Sequence, residues 1–445
     1  MTNQGSINLD ETLDPARKSF LASANQRDSD FPIQNLPFGV FRRVNGDEAF
    51  RVGVAIGDQI FDLSRLVESF SGPARSAVRA CAASSLNTLM SLSHKSWDAL
   101  RCDLVDLLDE RASAAQQRAV TRCLVPMAEA EMAMPVRIGG FTDFYASKYH
   151  ATNAGKIIRP DNPLLPNYKY VPVAYHSRVS SIQLSGAGIR RPRGQVKPPQ
   201  AERPQFAATA RLDYETELGL YIGLPSSLGS PIPVGSAAQH VFGFCLLNDW
   251  SARDLQAWEY QPLGPFLAKN FATTVSAWVV PVCAMRPYRV PAFVREAGDP
   301  APLPHLLHPD DQREGGIDIT LETYLLTERM RQAKADPLKL SGSSFANTYW
   351  TVAQMVAHHT SNGCNLLTGD LLGSGTVSGP QAESWGSLLE LTYGATKPLR
   401  LPNGEVRGYL EDGDEIIMRG YCRRAGAARI GFGECRGTVL PASSD

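Results

Sequence analysis

The spacing of hydrophobic residues changes character twice along this chain. From Phe31 to Phe41 apolar residues run together but are broken by Pro32 and Pro37, and Val52, Val54 and Ile56 then alternate at period two. Gly57 and Asp58 punctuate the run before Ile60, Phe61 and Leu63. Alternation bounded by such residues predicts a small antiparallel β module. Between residues 64 and 130 the spacing turns helical. Trp97, Leu100, Leu104, Leu107 and Leu108 share one face, with Asp98, Asp103, Asp106 and Asp109 mostly opposite. An amphipathic helix is predicted there, and the Ala-rich stretch 111–120 continues it or makes a second. Residues 1–30 are polar and predict either a loosely ordered segment or an arm that packs in extended form.

After Pro135 helical spacing becomes scarce, and Gly, Pro and short β-branched runs dominate. The runs at 171–173, 181–184, 218–222, 242–247, 273–280, 317–326, 388–393 and 415–418 read as strands. Residues 347–358 predict one helix, and Pro-rich 285–315 a long surface loop. The chain thus divides into residues 1–134, a small β module with a helical segment, and residues 135–445, a large and mainly β domain of α+β type.

Composition changes the picture by exclusion. At 445 residues with 43% hydrophobic content the chain can bury a sizeable core. Lys plus Arg number 44 and Asp plus Glu 45, a formal charge of −1. That balance excludes the basic footprint of a nucleic-acid binder or a polybasic membrane binder. No apolar run approaches the roughly 20 residues that span a bilayer. The first residues lack the cationic and apolar segments of a secretory signal. None of the eight cysteines forms a C-x-x-C pair, so they read as free thiols in a reducing compartment. A cytoplasmic enzyme is the expectation.

Four clusters concentrate chemistry. Residues 141–153 hold Asp143, Tyr145 and His150; if the stretch begins extended, Asp143 and Tyr145 share a face. In the second cluster Glu215 and Glu217 share one strand face, with Thr216, Leu218, Leu220 and Ile222 on the other. They are either a solvated face or a pair of hard oxygen ligands for Mg²⁺ or Ca²⁺. In the third, an apolar strand ends at Asn248 and Asp249, and a helix starts near Ser251. Arg253, Gln256 and Tyr260 then fall on one helical face, and Lys269 emerges from an apolar, turn-rich run. The fourth, residues 368–379, is glycine-rich but lacks G-x-x-x-x-G-K-[ST], which excludes a nucleotide loop. Gly373 and Gly375 there suggest close backbone approach to a ligand. Glu390 follows, an acid inside an apolar run that reads as a strand. His358-His359 and the pair His305 and His308 look like metal ligands but read as structural or exposed. There is no H-E-x-x-H and no G-x-S-x-G.

The runs DFYASKYHATNAG, LLPNYKYVPVAYHSRVSSI, YETELGLYIG, NDWSARDLQAWEYQPLGPFLAKNFATT, NGCNLLTGDLLGSGTVSG and SWGSLLEL, with FPIQNLPFGVF near the start, resemble the fumarylacetoacetate hydrolase family over essentially the whole chain. The resemblance implies an N-terminal SH3-like β-barrel, a C-terminal β-roll and a homodimer. It implies hydrolysis of the carbon–carbon bond of fumarylacetoacetate, a dicarboxylate β-diketone, to fumarate and acetoacetate, the last step of tyrosine and phenylalanine breakdown. By the same resemblance the ligands of Ca²⁺ or Mg²⁺ are Asp143, Glu215, Glu217 and Asp249, with Lys269 and Thr273 near the metal. His150 matches the catalytic base and Glu390 the acid that orients it. Tyr145, Arg159, Tyr175, Gln256, Tyr260 and Thr376 match substrate contacts. Arg253, Gln256 and Lys269 are candidate donors to the tetrahedral alkoxide. The chain departs from the pattern only peripherally, with Ala174 where glycine is usual before Tyr175, and in the length of the 285–315 loop. Two rivals remain at this point. One is a relative acting on another diketo acid, such as an acylpyruvate hydrolase or a decarboxylase, which usually lacks a full N-terminal domain. The other is a non-catalytic binding protein, which is expected to have lost His150, Glu390 or Lys269.

Overall fold

Five strands near the N-terminus form an antiparallel sheet in the order Leu124–Pro126, Gln59–Asp62, Arg51–Ile56, Phe38–Arg43, Ala130–Ala133. The outer strands do not pair with each other, so this is a half-barrel. The computed structural model describes residues 9–444. Alternation at 52–56 predicts one buried face, yet all six residues of Arg51–Ile56 are buried. Val52, Val54 and Ile56 pack toward the helices, whereas Ala55 joins Phe41, Ile60 and Trp278 on the other side. Trp278 comes from more than 200 residues away and covers the face that alternation alone assigns to solvent.

The predicted amphipathic helix is His94–Leu108, and the Ala-rich stretch makes a separate helix, Ala114–Thr121, opened by a capping box at Ser113 and Gln116. The polar arm is packed rather than loose from residue 9 onward; residues 1–8 lie outside the described residues. Ser19 Oγ donates to the Leu108 carbonyl (2.8 Å). Arg101, only 4% exposed, donates to Thr12 Oγ1 (2.8 Å) and to the carbonyls of Asn35 (3.1 Å) and Gln34 (2.5 Å). One buried guanidinium therefore ties the arm and the chain ahead of the first strand to the helix.

Two large sheets build the rest. The central one has eight strands, in the order Ala174–His176, Phe141–Phe144, Leu371–Gly373, Thr216–Ile222, Val241–Asp249, Thr273–Val275, Ile182–Leu184, with Val280–Pro281 also paired to Val241–Asp249. The other has five: Leu338–Ser344, Thr320–Leu326, Glu415–Cys422, Ile430–Leu440, Gly188–Arg190. They pack face to face, burying Leu218, Leu220, Phe244 and Leu246 with Leu321, Met418 and Phe432. The opposite face of the central sheet offers Phe141, Tyr221, Cys245, Leu247, Val275 and Leu371 to the same apolar cluster as the N-terminal helices. The fold is mixed α+β and sheet-rich. All eight cysteines are free. Among the described residues no helix is long and apolar enough to cross a membrane.

Several local expectations change. No strand forms at 171–173; it lies at Ala174–His176. The run around Glu390 is a four-residue helix, Leu388–Leu391, because the Ser387 side chain accepts the Glu390 N–H and caps it. A run so short has no periodicity to separate helix from strand. The helix predicted at 347–358 begins later, at Val352, where Thr351 and Gln354 make a capping box. The 285–315 stretch is anchored by buried Tyr288 and Leu306 and includes the helix Pro309–Glu314. Removing the guanidinium that holds the arm leaves buried carbonyls unpaired. R101A is expected to lower stability by about 2–4 kcal/mol, measured as the midpoint of chemical unfolding; an unchanged midpoint refutes that role.

Candidate active site

Strand register brings four carboxylates together. Asp143 sits on Phe141–Phe144 opposite Tyr175 on one side and Gly373 on the other. Glu217 lies on Thr216–Ile222, beyond the glycine-bearing strand, and Asp249 ends Val241–Asp249 opposite Thr273. Glu215 precedes its strand rather than lying in it, held by its N–H to Asn248 Oδ1 (3.1 Å). Ligand oxygens of all four lie within 4.8 Å of one another. Glu217 and Asp249 are fully buried and Glu215 is 6% exposed, which excludes the solvated-face reading.

Such a cluster needs compensation. Lys269 Nζ donates to Glu215 Oε2 (2.6 Å) and Asp249 Oδ2 (2.9 Å). Arg253 Nη1 donates to Glu215 Oε1 (2.8 Å). The Tyr175 hydroxyl donates to Asp249 Oδ2 (2.7 Å) and is 3.1 Å from Asp143 Oδ2, while Thr273 Oγ1 donates to Asp249 Oδ1 (3.0 Å). The Gly375 N–H lies 3.1 Å from both Asp143 Oδ1 and Glu217 Oε2. Two glycines permit this approach. A Cβ at Gly373 would stand 2.5 Å from Asp143 Oδ1, and Gly375 has φ +73°.

The compensation is uneven. Burial works against the charge of Glu215, but Lys269 and Arg253 outweigh it and hold the carboxyl well below its usual range. Burial, then the neighbouring carboxylates, push Asp143 and Glu217 well up. Glu217 Oε1 is buried with no partner at all. An orphaned oxygen amid hard donors and surplus negative charge fits a small divalent cation.

The second group is a histidine hydrogen-bonded to a buried glutamate. His150 stands in the first turn of the helix Lys148–Ile158, capped by Ser147. Its Nδ1 is 2.6 Å from Glu390 Oε2. Glu390 also accepts from Ser378 Oγ (3.0 Å), Ser387 Oγ (2.9 Å) and Asn153 Nδ2 (3.0 Å). Burial alone would push the Glu390 carboxyl up; the charge of His150 and these hydrogen bonds prevail and hold it down. An ionised acceptor at Nδ1 keeps a proton there, so whenever the ring is neutral its lone pair falls on Nε2. The edge of the ring pair with Tyr145, centroids 5.3 Å apart, fixes the imidazole from the side.

Both groups open on one cavity of about 660 Å³. Its wall includes Asp143, Tyr145, His150, Arg159, Tyr175, Glu215, Arg253, Gln256, Tyr260 and Lys269. The helix predicted near Ser251 runs Arg253–Glu259 and presents Arg253, Gln256 and, at its C-cap, Tyr260 to that cavity. Gln256 Oε1 accepts from Arg253 Nη1 (3.1 Å), while Arg253 Nη2 and Arg159 Nε are buried without partners. Thr376 is placed differently. It is buried next to Gly375, outside the cavity wall, and its hydroxyl has no partner. The histidine decoys are structural: His359 Nε2 meets Thr142 Oγ1 (2.8 Å), and His308 caps a helix. Residues overlooked in the sequence are Asp213, Asn153, Ser378 and Ser387, together with the Gly375 N–H.

A histidine held by a buried acid, a cation-competent carboxylate cluster and cationic side chains meet at one cavity, an arrangement suited to a hydrolase. A model of the fumarylacetoacetase N-terminal region matches residues 34–135, and one of the fumarylacetoacetate hydrolase C-terminal region matches residues 140–440. The chain belongs to the fumarylacetoacetate hydrolase family. It is 48% identical to the human fumarylacetoacetase over 419 residues, covering 93% of this chain and 97% of that one. Against the Caenorhabditis elegans fumarylacetoacetase it is 46% identical, covering 96% and 99%, and against that of Arabidopsis thaliana 43%, covering 95% and 98%. A solved fumarylacetoacetate hydrolase from Exiguobacterium antarcticum shares the fold at TM-score 0.50 and 16% identity, covering 91% of this chain and 99% of that one.

If the carboxylates hold a cation, D249N should weaken Mg²⁺ or Ca²⁺ binding by at least the roughly 10–100-fold that outer partners of a metal site cost when removed. Calorimetric titration reads this; unchanged affinity refutes the ligand role.

Proposed function

We propose that this chain hydrolyses fumarylacetoacetate to fumarate and acetoacetate, with Mg²⁺ or Ca²⁺ held by Asp143, Glu215, Glu217 and Asp249. The observation that carries this reading is the shared cavity: His150, backed by Glu390, lines it together with Arg253 and with Asp143 and Glu215 of the acidic cluster. The 43–48% identity to fumarylacetoacetases supports the choice of substrate.

His150 Nε2 takes a proton from water, and the water oxygen bonds to the ketone carbon of the fumaryl group, the one that becomes the new carboxylate of fumarate. Glu390 keeps Nδ1 protonated and balances the imidazolium that forms. Arg253 Nη2, the Gln256 amide and the remaining Lys269 proton are the donors for the alkoxide; one such donor is typically worth about 10²–10³ in rate. When bound, a divalent cation supplies Lewis acidity at the diketone oxygens. The carbon–carbon bond then breaks, and the departing carbon receives the proton that His150 took, which completes acetoacetate. Arg159, Tyr145 and Tyr175 stand where a substrate carboxylate is held, the spare Arg159 Nε being the strongest partner on offer. Tyr260 lines the same wall, and Thr376 bears on the substrate through the adjoining Gly375.

The reading extends to assembly and place. Trp258, Leu263, Phe266 and Leu267 are exposed beside the cavity, as a homodimer requires. The eight free cysteines suit a reducing, cytoplasmic setting. A division at 134/135 into an N-terminal module and a catalytic part is supported by the two separate family matches.

Purified protein with Mg²⁺ or Ca²⁺ is expected to consume the ultraviolet absorbance of fumarylacetoacetate and to stop when EDTA is added. H150A is expected to lose about 10²–10⁴ in kcat while its circular dichroism and metal affinity stay unchanged. A folded, metal-loaded wild type without turnover refutes this substrate and favours an acylpyruvate; near-full activity in H150A refutes the base.

A further inference from the structure

Asp213 is absent from the cation set, the base pair and the cavity wall. Its carboxylate is fully buried and its bonds are filled. Oδ2 accepts from Arg253 Nε (2.9 Å) and the Leu389 N–H (3.0 Å). Oδ1 accepts from the N–H groups of Leu388 (2.8 Å) and Tyr214 (2.8 Å). These donors belong to two different parts of the site. Arg253 opens its helix, lines the cavity and keeps Nη2 buried without a partner. Leu388 and Leu389 form the first turn of the four-residue helix that carries Glu390. The backbone sets Asp213 between them, since Leu212–Asp213 pairs with Ser251–Ala252, immediately ahead of Arg253.

A buried carboxylate needs donors beyond its ion pair, and two of those Asp213 finds are N–H groups of the helix that carries Glu390. We infer that Asp213 is a positioning residue which registers Arg253 and Glu390 against each other, so that one anion holds both the guanidinium donor and the acid behind His150. The inference rests on the hydrolase reading above. Asp213 grips the guanidinium at Nε and Glu215 at Nη1, so the planar group is fixed at two corners and Nη2 is left free. Without Asp213 only Glu215 remains as an ionised anchor, and the plane turns about that bond. On the other side the Leu388 and Leu389 N–H groups lose their acceptor, and a helix of one turn has only Ser387 left to seat it. A misplacement of about 1 Å can cost about 10²-fold in rate.

The test is a double-mutant cycle on the full-length, Mg²⁺-loaded protein with fumarylacetoacetate. D213N keeps the shape, but its amide nitrogen accepts nothing. It is expected to lower kcat about 10²-fold with KM little changed, because Asp213 does not reach the cavity. In R253A and in E390Q the same D213N change should add far less than it costs alone, because its route to the chemistry is already cut. Mg²⁺ stoichiometry by calorimetry counts the folded sites. Should D213N fail to fold, D213E, which keeps the anion one methylene out of place, is carried through the same cycle. Additive losses in both backgrounds, or a fall in stoichiometry that accounts for the whole loss of kcat, overturn the inference. A wild type that is folded, binds Mg²⁺ and turns nothing over overturns the hydrolase reading itself, a result distinct from either.

Discussion

Four carboxylates crowded into one buried spot, within 4.8 Å of one another, are the constraint on which the rest of the catalytic part depends. Like charges out of water repel strongly, and each loses its hydration as well. The surroundings answer with one lysine, one arginine, two hydroxyls and a backbone N–H, and still leave an oxygen of Glu217 unmet. Lys269 and Arg253 supply the counter-charge this cluster needs. On the proposed mechanism the same side chains also donate to the alkoxide, so compensation and transition-state stabilisation would come from one set of groups.

The sheet makes the crowding possible. The strand between those of Asp143 and Glu217 contributes a glycine where any side chain would collide with a carboxylate. Two residues on, Gly375 turns the chain at positive φ and sends its N–H back to the same two acids. The base is built separately, on a capped helix rather than on the sheet. His150 and Glu390, 240 residues apart, meet because two short helices converge over the cavity rim.

Much of this was legible in the sequence, and for identifiable reasons. Strands such as 218–222 and 242–247 announce themselves by long apolar runs, and His94–Leu108 by strict spacing. The acids at 143, 215, 217 and 249 and the lysine at 269 stand inside long distinctive runs, so resemblance located them. Spacing alone paired neither His150 with Glu390 nor Lys269 with Asp249, because sequence distance carries no record of tertiary approach. Glu390 was misread as a strand residue since one helical turn has no period. The burial of both faces of Arg51–Ile56 was not legible, because the cover of the second, Trp278, is remote in the chain. Asp213 did leave a trace: acids at 213, 215 and 217 repeat at period two, and only two of the three were taken up. Asn153, Ser378 and Ser387 left none, being ordinary polar residues whose role exists only once Glu390 is placed.

The carboxylates and the N-terminal helices share one face of the central sheet, the acids standing toward one end of its strands. Phe141, Leu247 and Leu371, which meet the helices, stand two residues from Asp143, Asp249 and Gly373 on the same strands. The N-terminal module therefore works as a chassis. Among the described residues it gives none to the cavity wall, yet it backs the strands that carry the acids. Wear in that chassis, a loosened core far from any reacting atom, would register first as a metal site whose oxygens no longer agree on where the ion should sit.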